Sequence, residues 1–201
     1  AGLSSEVVGR DREVALLKDR YAGLASGRGA VVALIGEAGL GKSRLVADLR
    51  HAHEAAGATP IQWFEARAIS YGQSIPYYPW RQLGRQIVGG LDTDSSATLR
   101  DKLHALLKRL DVADSNLPFL ETMLAVDTEA SRMALATLGG DALIAGVAAG
   151  VVNVVKAAIH SGGEIRPQVM IMDDLHWSDS ATLELIAQVA TLAAFEPLLL
   201  V

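Results

Sequence analysis

Apolar residues occur along this chain in two patterns, short unbroken runs and longer stretches with helical spacing. The short runs are typical of strands buried in a sheet. They cover residues 31–35, 169–172 and 197–201, and a fourth predicted strand at 60–66 is apolar except for Gln62 and Glu65. Because helical stretches separate these runs, the pattern predicts βαβ units and a parallel sheet, in an α/β fold.

Helical spacing fills most of the chain between the predicted strands. Asp11 is a candidate N-cap for a first helix, and Gly57 ends a second one whose apolar face carries Leu45 and Leu49. Residues 71–80, rich in proline and aromatic side chains, are predicted to form a loop. Further helices are predicted over residues 117–126, 130–138, 142–159 and 180–193.

Two helical stretches call for an interpretation. Leucines at 99, 103, 106 and 110 repeat opposite four basic residues, Arg100, Lys102, Lys108 and Arg109. We interpret that basic face as solvated surface, with a partner-binding face as the alternative. Residues 142–155 lack charges and contain a G-x-x-x-G pattern, but a membrane span needs about 20 apolar residues. We therefore expect a helix packed against protein and no membrane partner.

Length, net charge and cysteine content exclude several classes of protein and of chemistry. A chain of 201 residues, half of them hydrophobic, fits one domain over 1–201 with a mainly helical insertion over 70–165. The net charge of −5 argues against direct nucleic-acid binding, and the absence of cysteine excludes disulfides and thiol catalysis. The polar start shows no signal-peptide pattern, so we expect a cytoplasmic protein. Because the last predicted strand runs to Val201, we also expect a longer parent protein.

The strongest motif follows the first predicted strand. Gly36-Glu37-Ala38-Gly39-Leu40-Gly41-Lys42-Ser43 fits G-x-x-x-x-G-K-[ST], the phosphate-binding P-loop, and a helix follows it as the motif requires. Glycines let several backbone N–H groups point into one concavity, and the helix N-terminus and Lys42 add positive charge. Ser43 is placed to ligate Mg²⁺. The motif predicts nucleoside triphosphate binding.

A second motif supplies the carboxylates that hydrolysis needs. Asp173 and Asp174 follow the apolar run at 169–172. Asp173 is predicted to hold Mg²⁺ opposite Ser43, and Asp174 to orient or deprotonate the attacking water. Many P-loop motors have glutamate at the second position. Since aspartate is one methylene shorter, we hypothesise slow turnover, suited to a switch.

Four segments together resemble a known family. They are Val7-Val8-Gly9-Arg10, the P-loop with Arg44 and Leu45 after it, residues 75–80, and residues 173–179. In this order they resemble the AAA-type P-loop ATPase module of the STAND class of signal-transduction ATPases. That module occurs in large LuxR-type transcription regulators and behind class III adenylate cyclase domains.

The resemblance implies a fold and further site residues. The implied fold is the three-layer P-loop NTPase sandwich with a parallel sheet of order 5-1-4-3-2. The fifth strand and the helical lid would lie outside this chain. Val8, Gly9 and Arg10 would line the adenine pocket, so ATP and ADP are the expected ligands, with Mg²⁺ as the metal. The P-loop residues from Gly36 through Arg44 are assigned to nucleotide binding.

Several alternatives stay open. The leading interpretation is a slow, Mg²⁺-dependent ATPase switch within a larger regulatory protein, acting on other domains of the same chain. A nucleotide-binding interaction module with negligible hydrolysis is the second, and a P-loop kinase ranks below both. Arg44 suits a surface role better than a catalytic one, and Arg67 is a minor candidate for reaching the nucleotide. Homo-oligomer formation is compatible with the sequence.

Overall fold

The computed structural model describes residues 11–37, 41–56 and 61–201, and within them four strands form one sheet. The strands are β1 (Ala30–Val31), β2 (Gln62–Arg67), β3 (Gln168–Asp173) and β4 (Leu198–Leu200). Every pair is parallel, and the order is β1-β4-β3-β2. The predicted parallel α/β fold is confirmed. The observed order is the one that the resemblance implies for these four strands.

Eight α-helices accompany the sheet in the described part of the chain. The first two flank β1, the next five lie between β2 and β3, and the last precedes β4. They are α1 (Asp11–Leu24), α2 (Lys42–Ala56), α3 (Tyr78–Ile87), α4 (Ser96–Arg109), α5 (Leu117–Met123), α6 (Glu129–Leu135), α7 (Gly140–Ile159) and α8 (Ser180–Ala190). All of the secondary structure that the structure describes between β2 and β3 is therefore helical, and the bounds 70–165 of the insertion stay a prediction.

The central strand, β3, separates two hydrophobic clusters. Val169 and Ile171 pack with Leu24 and Val46 from α1 and α2. Met170 and Met172 face the other way, into the larger cluster, to which α3, α4, α5, α7 and α8 contribute. Successive side chains of a strand point to opposite faces, so an unbroken apolar run is what a strand covered on both faces requires. The sheet thus lies between two helical layers.

The first strand differs from its prediction. We expected a buried strand over residues 31–35, but β1 ends at Val31, whose side chain is 54% exposed, and Ile35 is 94% exposed. One further ladder bond follows, from the N–H of Val32 to the carbonyl of Leu200 (2.8 Å). In the part of the chain described here, β1 pairs on one side only. Its apolar residues therefore lack the second neighbour that would bury them.

The predicted loop at 71–80 is also partly wrong, because α3 already begins at Tyr78. Proline fits the first turn of a helix, where its missing N–H leaves no bond unmade. Pro79 occupies that turn. Tyr77, the residue just before the helix begins, adopts φ 60°. Such a left-handed conformation is uncommon for a bulky residue and turns the chain sharply into the helix.

The G-x-x-x-G pattern marks a close contact between α7 and α5. A Cβ on Gly146 would lie 2.1 Å from the ring of Phe119, and one on Gly150 would lie 3.3 Å from Leu120. By length and composition alone, residues 140–163 could cross a membrane, and a third of an apolar 18-residue window within them is buried in the protein. Its buried side includes Val147, Val151 and Ile159, which belong to the main core. This packing supports the interpretation of α7 as a protein-packed helix.

Of the four basic residues on α4, two are paired with carboxylates and two are exposed as predicted. Arg100 pairs with the fully buried Glu121 of α5 (2.7 Å), and Lys102 pairs with Asp94 (2.6 Å), while Lys108 and Arg109 are exposed. Thr128 and Ser131 also donate hydrogen bonds to Glu121. The interpretation was wrong for Arg100 and Lys102 because folding places carboxylates opposite them, which helical spacing alone does not reveal.

Candidate functional site

The candidate site lies where the P-loop meets the carboxyl ends of β2 and β3. Gly41 has φ +79°, a conformation that glycine adopts without strain, and its carbonyl accepts the N–H of Leu45 in the first turn of α2 (3.0 Å). Lys42 is the first residue of that helix. The chain thus turns from a loop directly into a helix N-terminus, which attracts anions through its free N–H groups and dipole.

Lys42 closes the described part of the loop onto itself. Its Nζ donates to the carbonyl oxygens of Gly36 (2.8 Å) and Glu37 (3.0 Å). The ammonium group is therefore held by two carbonyl acceptors that an anionic ligand can replace. Some predicted contacts, Ala38, Gly39 and Leu40 in the loop and Val8, Gly9 and Arg10 before α1, lie outside the described residues. Their assignments stay predictions.

The two halves of the predicted metal site are in direct contact. The Ser43 hydroxyl donates to Oδ2 of Asp173 at 2.9 Å, between residues 130 positions apart. Burial alone would raise the pKa of Asp173, but the hydrogen bond from Ser43 and the charge of Arg67 outweigh it and hold the pKa below its usual value. Asp173 therefore offers an ionised carboxylate beside a hydroxyl.

These oxygens fit a hard divalent cation. Mg²⁺ is usually held by one or two carboxylates together with substrate phosphates and water, not by a complete protein cage. Among the described residues, no three His, Cys, Asp or Glu side chains gather into a metal-binding set. A single carboxylate and a hydroxyl next to a phosphate-binding loop suit a magnesium ion that arrives with its nucleotide.

Asp174 takes a conformation that keeps it at the strand end. Its φ is 59°, and its backbone N–H donates to Oδ1 of Asp173 (2.9 Å). Aspartate tolerates this left-handed region better than most residues because its short side chain can bond locally. The turn is continued by a bond from the N–H of Trp177 to the carbonyl of Asp174 (2.9 Å). The two carboxylates are thus fixed next to each other at the end of β3.

Arg67 joins both carboxylates, a role that the sequence only hinted at. Its Nη2 lies 3.0 Å from Oδ2 of Asp173, and its Nε lies 3.1 Å from Oδ2 of Asp174. In the parallel register Arg67 is the direct partner of Asp173. The signal was available, because the carboxyl ends of neighbouring parallel strands meet at one edge. The sequence does not show which residue of β2 pairs with which residue of β3, and this register places Arg67 beside Asp173.

Two glutamines of α3 cover the free edge of β2. Gln82 accepts the N–H of Arg67 (3.2 Å) and donates to its carbonyl (2.9 Å), while Gln86 does the same for Glu65 (3.1 and 2.6 Å). Residues 65 and 67 present their backbone groups to the same side, and side chains four apart on a helix lie on one face. The side-chain amides replace a neighbouring strand and fix the backbone of Arg67. Sequence reasoning missed both glutamines.

The helical insertion also contacts the loop after β3. Asp179 caps α8 by accepting the N–H of Thr182 (2.9 Å) and also accepts the N–H of Tyr77 (3.1 Å). The indole of Trp80 donates to the carbonyl of Thr182 (3.2 Å). Two of the segments that carried the family resemblance, 75–80 and 173–179, are therefore neighbours in space.

Arg44 forms an ion pair within its own helix. Its Nε donates to Asp48 one turn later on α2 (2.9 Å), and both side chains are about two-fifths exposed. This surface ion pair agrees with the expectation that a surface role suits Arg44 better than a catalytic one. Its assignment to nucleotide binding stays a prediction.

Comparison with known proteins identifies the family. Residues 6–201 match the family described as AAA ATPase domain, so the match includes the P-loop, Arg67 and both aspartates. The comparisons with curated proteins and with solved structures gave no match. The family match covers nearly the whole chain and agrees with the parallel sheet and the site at its edge. The chain therefore belongs to the AAA ATPase domain family.

Proposed function

We propose that this chain is the Mg²⁺-dependent ATP-binding and slowly ATP-hydrolysing module of a larger regulatory protein of the STAND class. Membership in the AAA ATPase domain family supports nucleotide binding and ATPase activity in general. The observation that supports the finer proposal is the contact between Ser43 and Asp173 (2.9 Å). It brings the phosphate-binding motif and the acidic motif together in one site.

Each residue has a proposed task. Lys42 and the N-terminus of α2 hold the triphosphate, while Ser43 and Asp173 hold the metal ion. Bound Mg²⁺ would neutralise charge that develops on the phosphate oxygens. Asp174 accepts a proton from the attacking water or orients it. Val8, Gly9 and Arg10 are proposed to line the adenine pocket.

Slow hydrolysis is the expected property of a switch. Asp174 carries one methylene less than the glutamate of many P-loop motors, and it is also engaged with Arg67 (3.1 Å). A ligand can shift an equilibrium between two states only by its differential affinity for them. The proposed signal is therefore the exchange of ATP for ADP, read by other domains of the same longer chain. A cyclase or a DNA-binding domain suits that role.

The same ion pair favours a second candidate function, a nucleotide-binding module with negligible hydrolysis. If Arg67 stays on Asp174 when nucleotide is bound, no carboxylate is free to activate water. Asp174→Asn separates the two functions. A switch keeps ATP affinity in this variant and loses turnover, whereas a pure binder has no turnover to lose.

The test combines ATP titration calorimetry, with and without Mg²⁺, and phosphate release over hours. Asp101→Asn, an exposed aspartate on α4, is the matched control and should change neither quantity. Mg²⁺-dependent ATP binding with slow phosphate release that Asp174→Asn abolishes supports the switch. Absence of ATP binding by the wild-type chain contradicts the proposed function.

A further inference from the structure

We propose that Arg67 is a resident counter-cation that a divalent metal must displace from Asp173 and Asp174 before it can bind. The inference rests on the proposed function and adds a selectivity device to the same site. Its basis is the double contact of one guanidinium with two adjacent carboxylates, 3.0 Å to Asp173 and 3.1 Å to Asp174.

Competition follows from the atoms involved. Oδ2 of Asp173 accepts from both the Ser43 hydroxyl and the Arg67 guanidinium. A metal ion that takes this oxygen needs a lone pair that now points at Arg67. Arginine stays protonated at any pH at which the protein is folded, so the competition does not depend on a titration of Arg67. Movement of the guanidinium away from the carboxylates frees that lone pair.

The displacement needs only a side-chain rotation. The Arg67 side chain is 62% exposed, so it can leave the carboxylates and enter water without burying its charge. Its backbone is fixed on both sides, by the register with Asp173 and by the two bonds to Gln82. The guanidinium therefore returns to the same position whenever the metal leaves.

As a consequence, the site is selective for a metal ion that arrives together with a nucleotide. A bare divalent cation gains one carboxylate and one hydroxyl and must break the contacts of Arg67. A cation that arrives with a triphosphate brings phosphate oxygens as further ligands, and the nucleotide adds its own binding to Lys42 and the helix N-terminus. Arg67 thus lowers affinity for the metal alone and leaves the combined ligand able to bind.

The test measures Mn²⁺ alone, without nucleotide, by electron paramagnetic resonance of the free ion. We compare the wild-type chain with Arg67→Gln and with Arg50→Gln. Arg50 is the matched control because it pairs with Glu65 on the same strand (2.7 Å), away from the two aspartates. We expect Arg67→Gln to bind Mn²⁺ about fivefold more tightly, the scale of a partly exposed ion pair, and Arg50→Gln to match wild type. Adding Asp173→Asn to Arg67→Gln should remove the gain.

A second variant covers the case in which Arg67→Gln alters the fold. Arg67→Lys keeps a cation but loses the planar fork that joins two carboxylates, so we expect a smaller gain than in Arg67→Gln. Unchanged or weaker Mn²⁺ affinity in both variants, with wild-type unfolding temperatures, overturns the inference. Failure of the proposed function has a different signature, namely no Mg²⁺-dependent ATP binding by the wild-type chain.

Discussion

The hydroxyl of Ser43 donates a 2.9 Å hydrogen bond to the carboxylate of Asp173, which lies 130 residues further along the chain. Ser43 is in the first turn of α2, and Asp173 is the last residue of β3. The helical insertion separates them in sequence, but the parallel sheet returns the chain to the same edge. The parallel sheet therefore brings the two halves of the candidate site together.

This relationship predicts the effect of Ser43→Ala on ATP affinity. Loss of the hydroxyl removes the proposed metal ligand but changes no backbone group of the loop. We expect the affinity for ATP with Mg²⁺ to fall about tenfold, equivalent to ~1.4 kcal/mol, and the affinity without Mg²⁺ to stay unchanged. Calorimetric titrations in the presence of Mg²⁺ and of a chelator measure both quantities. Ser26→Ala, in the exposed turn after α1, is the control, and an equal loss under both conditions would contradict a metal role for Ser43.

Lys42→Ala tests the phosphate-binding role of the loop. The ammonium group now bonds to the carbonyls of Gly36 and Glu37, and a triphosphate would offer it a charged partner instead. We expect ATP affinity to fall about 100-fold, with a weaker dependence on salt concentration, because one charge–charge contact is gone. Titrations at two salt concentrations measure this. Lys18→Ala on the exposed side of α1 should bind ATP like wild type.

Gln82 and Gln86 on α3 should each contribute to the free energy of unfolding, and we expect the effects of replacing them to add. Gln82 and Gln86 each make two bonds to the edge of β2. At about 1 kcal/mol net per hydrogen bond, and less where water can replace it, each change to alanine should lower the free energy of unfolding by about 1 kcal/mol. Urea unfolding of the single and double variants measures this. Gln188→Ala on the exposed face of α8 is the control, and wild-type stability of the double variant would contradict the edge contact.

The sequence predicts the sheet better than it predicts the edges of the sheet. The run from Val169 to Met172 has apolar residues at every position, which only a strand covered on both faces requires, and β3 is indeed central. Val31 to Ile35 is equally apolar, but Val31 and Ile35 are exposed and Val32 and Leu34 are only partly buried. Local composition reports that a strand is apolar, but its neighbours decide whether it is buried.

In the candidate site too, some residues could be predicted from the sequence and others could not. Lys42, Ser43 and the aspartates follow from motifs, because phosphate and magnesium chemistry restrict which residue types can occur there. Arg67 and Gln82 follow from register and from helix placement, which depend on contacts between segments distant in sequence. The charge partners of Arg100 and Lys102 were missed for that reason too, since their carboxylates lie on other segments.

Gly146→Ala should destabilise the protein through a clash between α7 and α5. The new methyl group would lie 2.1 Å from the Phe119 ring, which has to move. Overpacking of this kind costs about 1–3 kcal/mol and outweighs the gain in helix propensity. The control is Gly140→Ala on the same helix, where nothing lies within 4 Å and we expect equal or greater stability. Thermal unfolding of both variants checks the prediction, and equal behaviour would show that α5 and α7 do not pack closely.

Glu121 makes the stability of the helical insertion depend on pH. Burial alone would raise the pKa of this carboxyl, but bonds from Ser131, Thr128 and Arg100 outweigh it and hold the pKa below its ordinary value of 4.5. Since the folded state has the lower pKa, the ionised contacts contribute stability above pH 4.5. That contribution is lost as the pH falls through the folded value.

We therefore expect Glu121→Gln to lower the free energy of unfolding by about 2 kcal/mol at pH 7, since the buried charge and its bonds are lost while Arg100 can return to water. The difference from wild type should shrink as the pH falls from 4.5 through the lower pKa of the folded state, because wild-type Glu121 then takes up a proton as well. Urea unfolding at a series of pH values between neutral and acid measures both curves. Glu184→Gln, an exposed residue of α8, should run parallel to wild type. A gap between wild type and Glu121→Gln that stays constant down to acid pH would mean that the charge of Glu121 contributes nothing to folding.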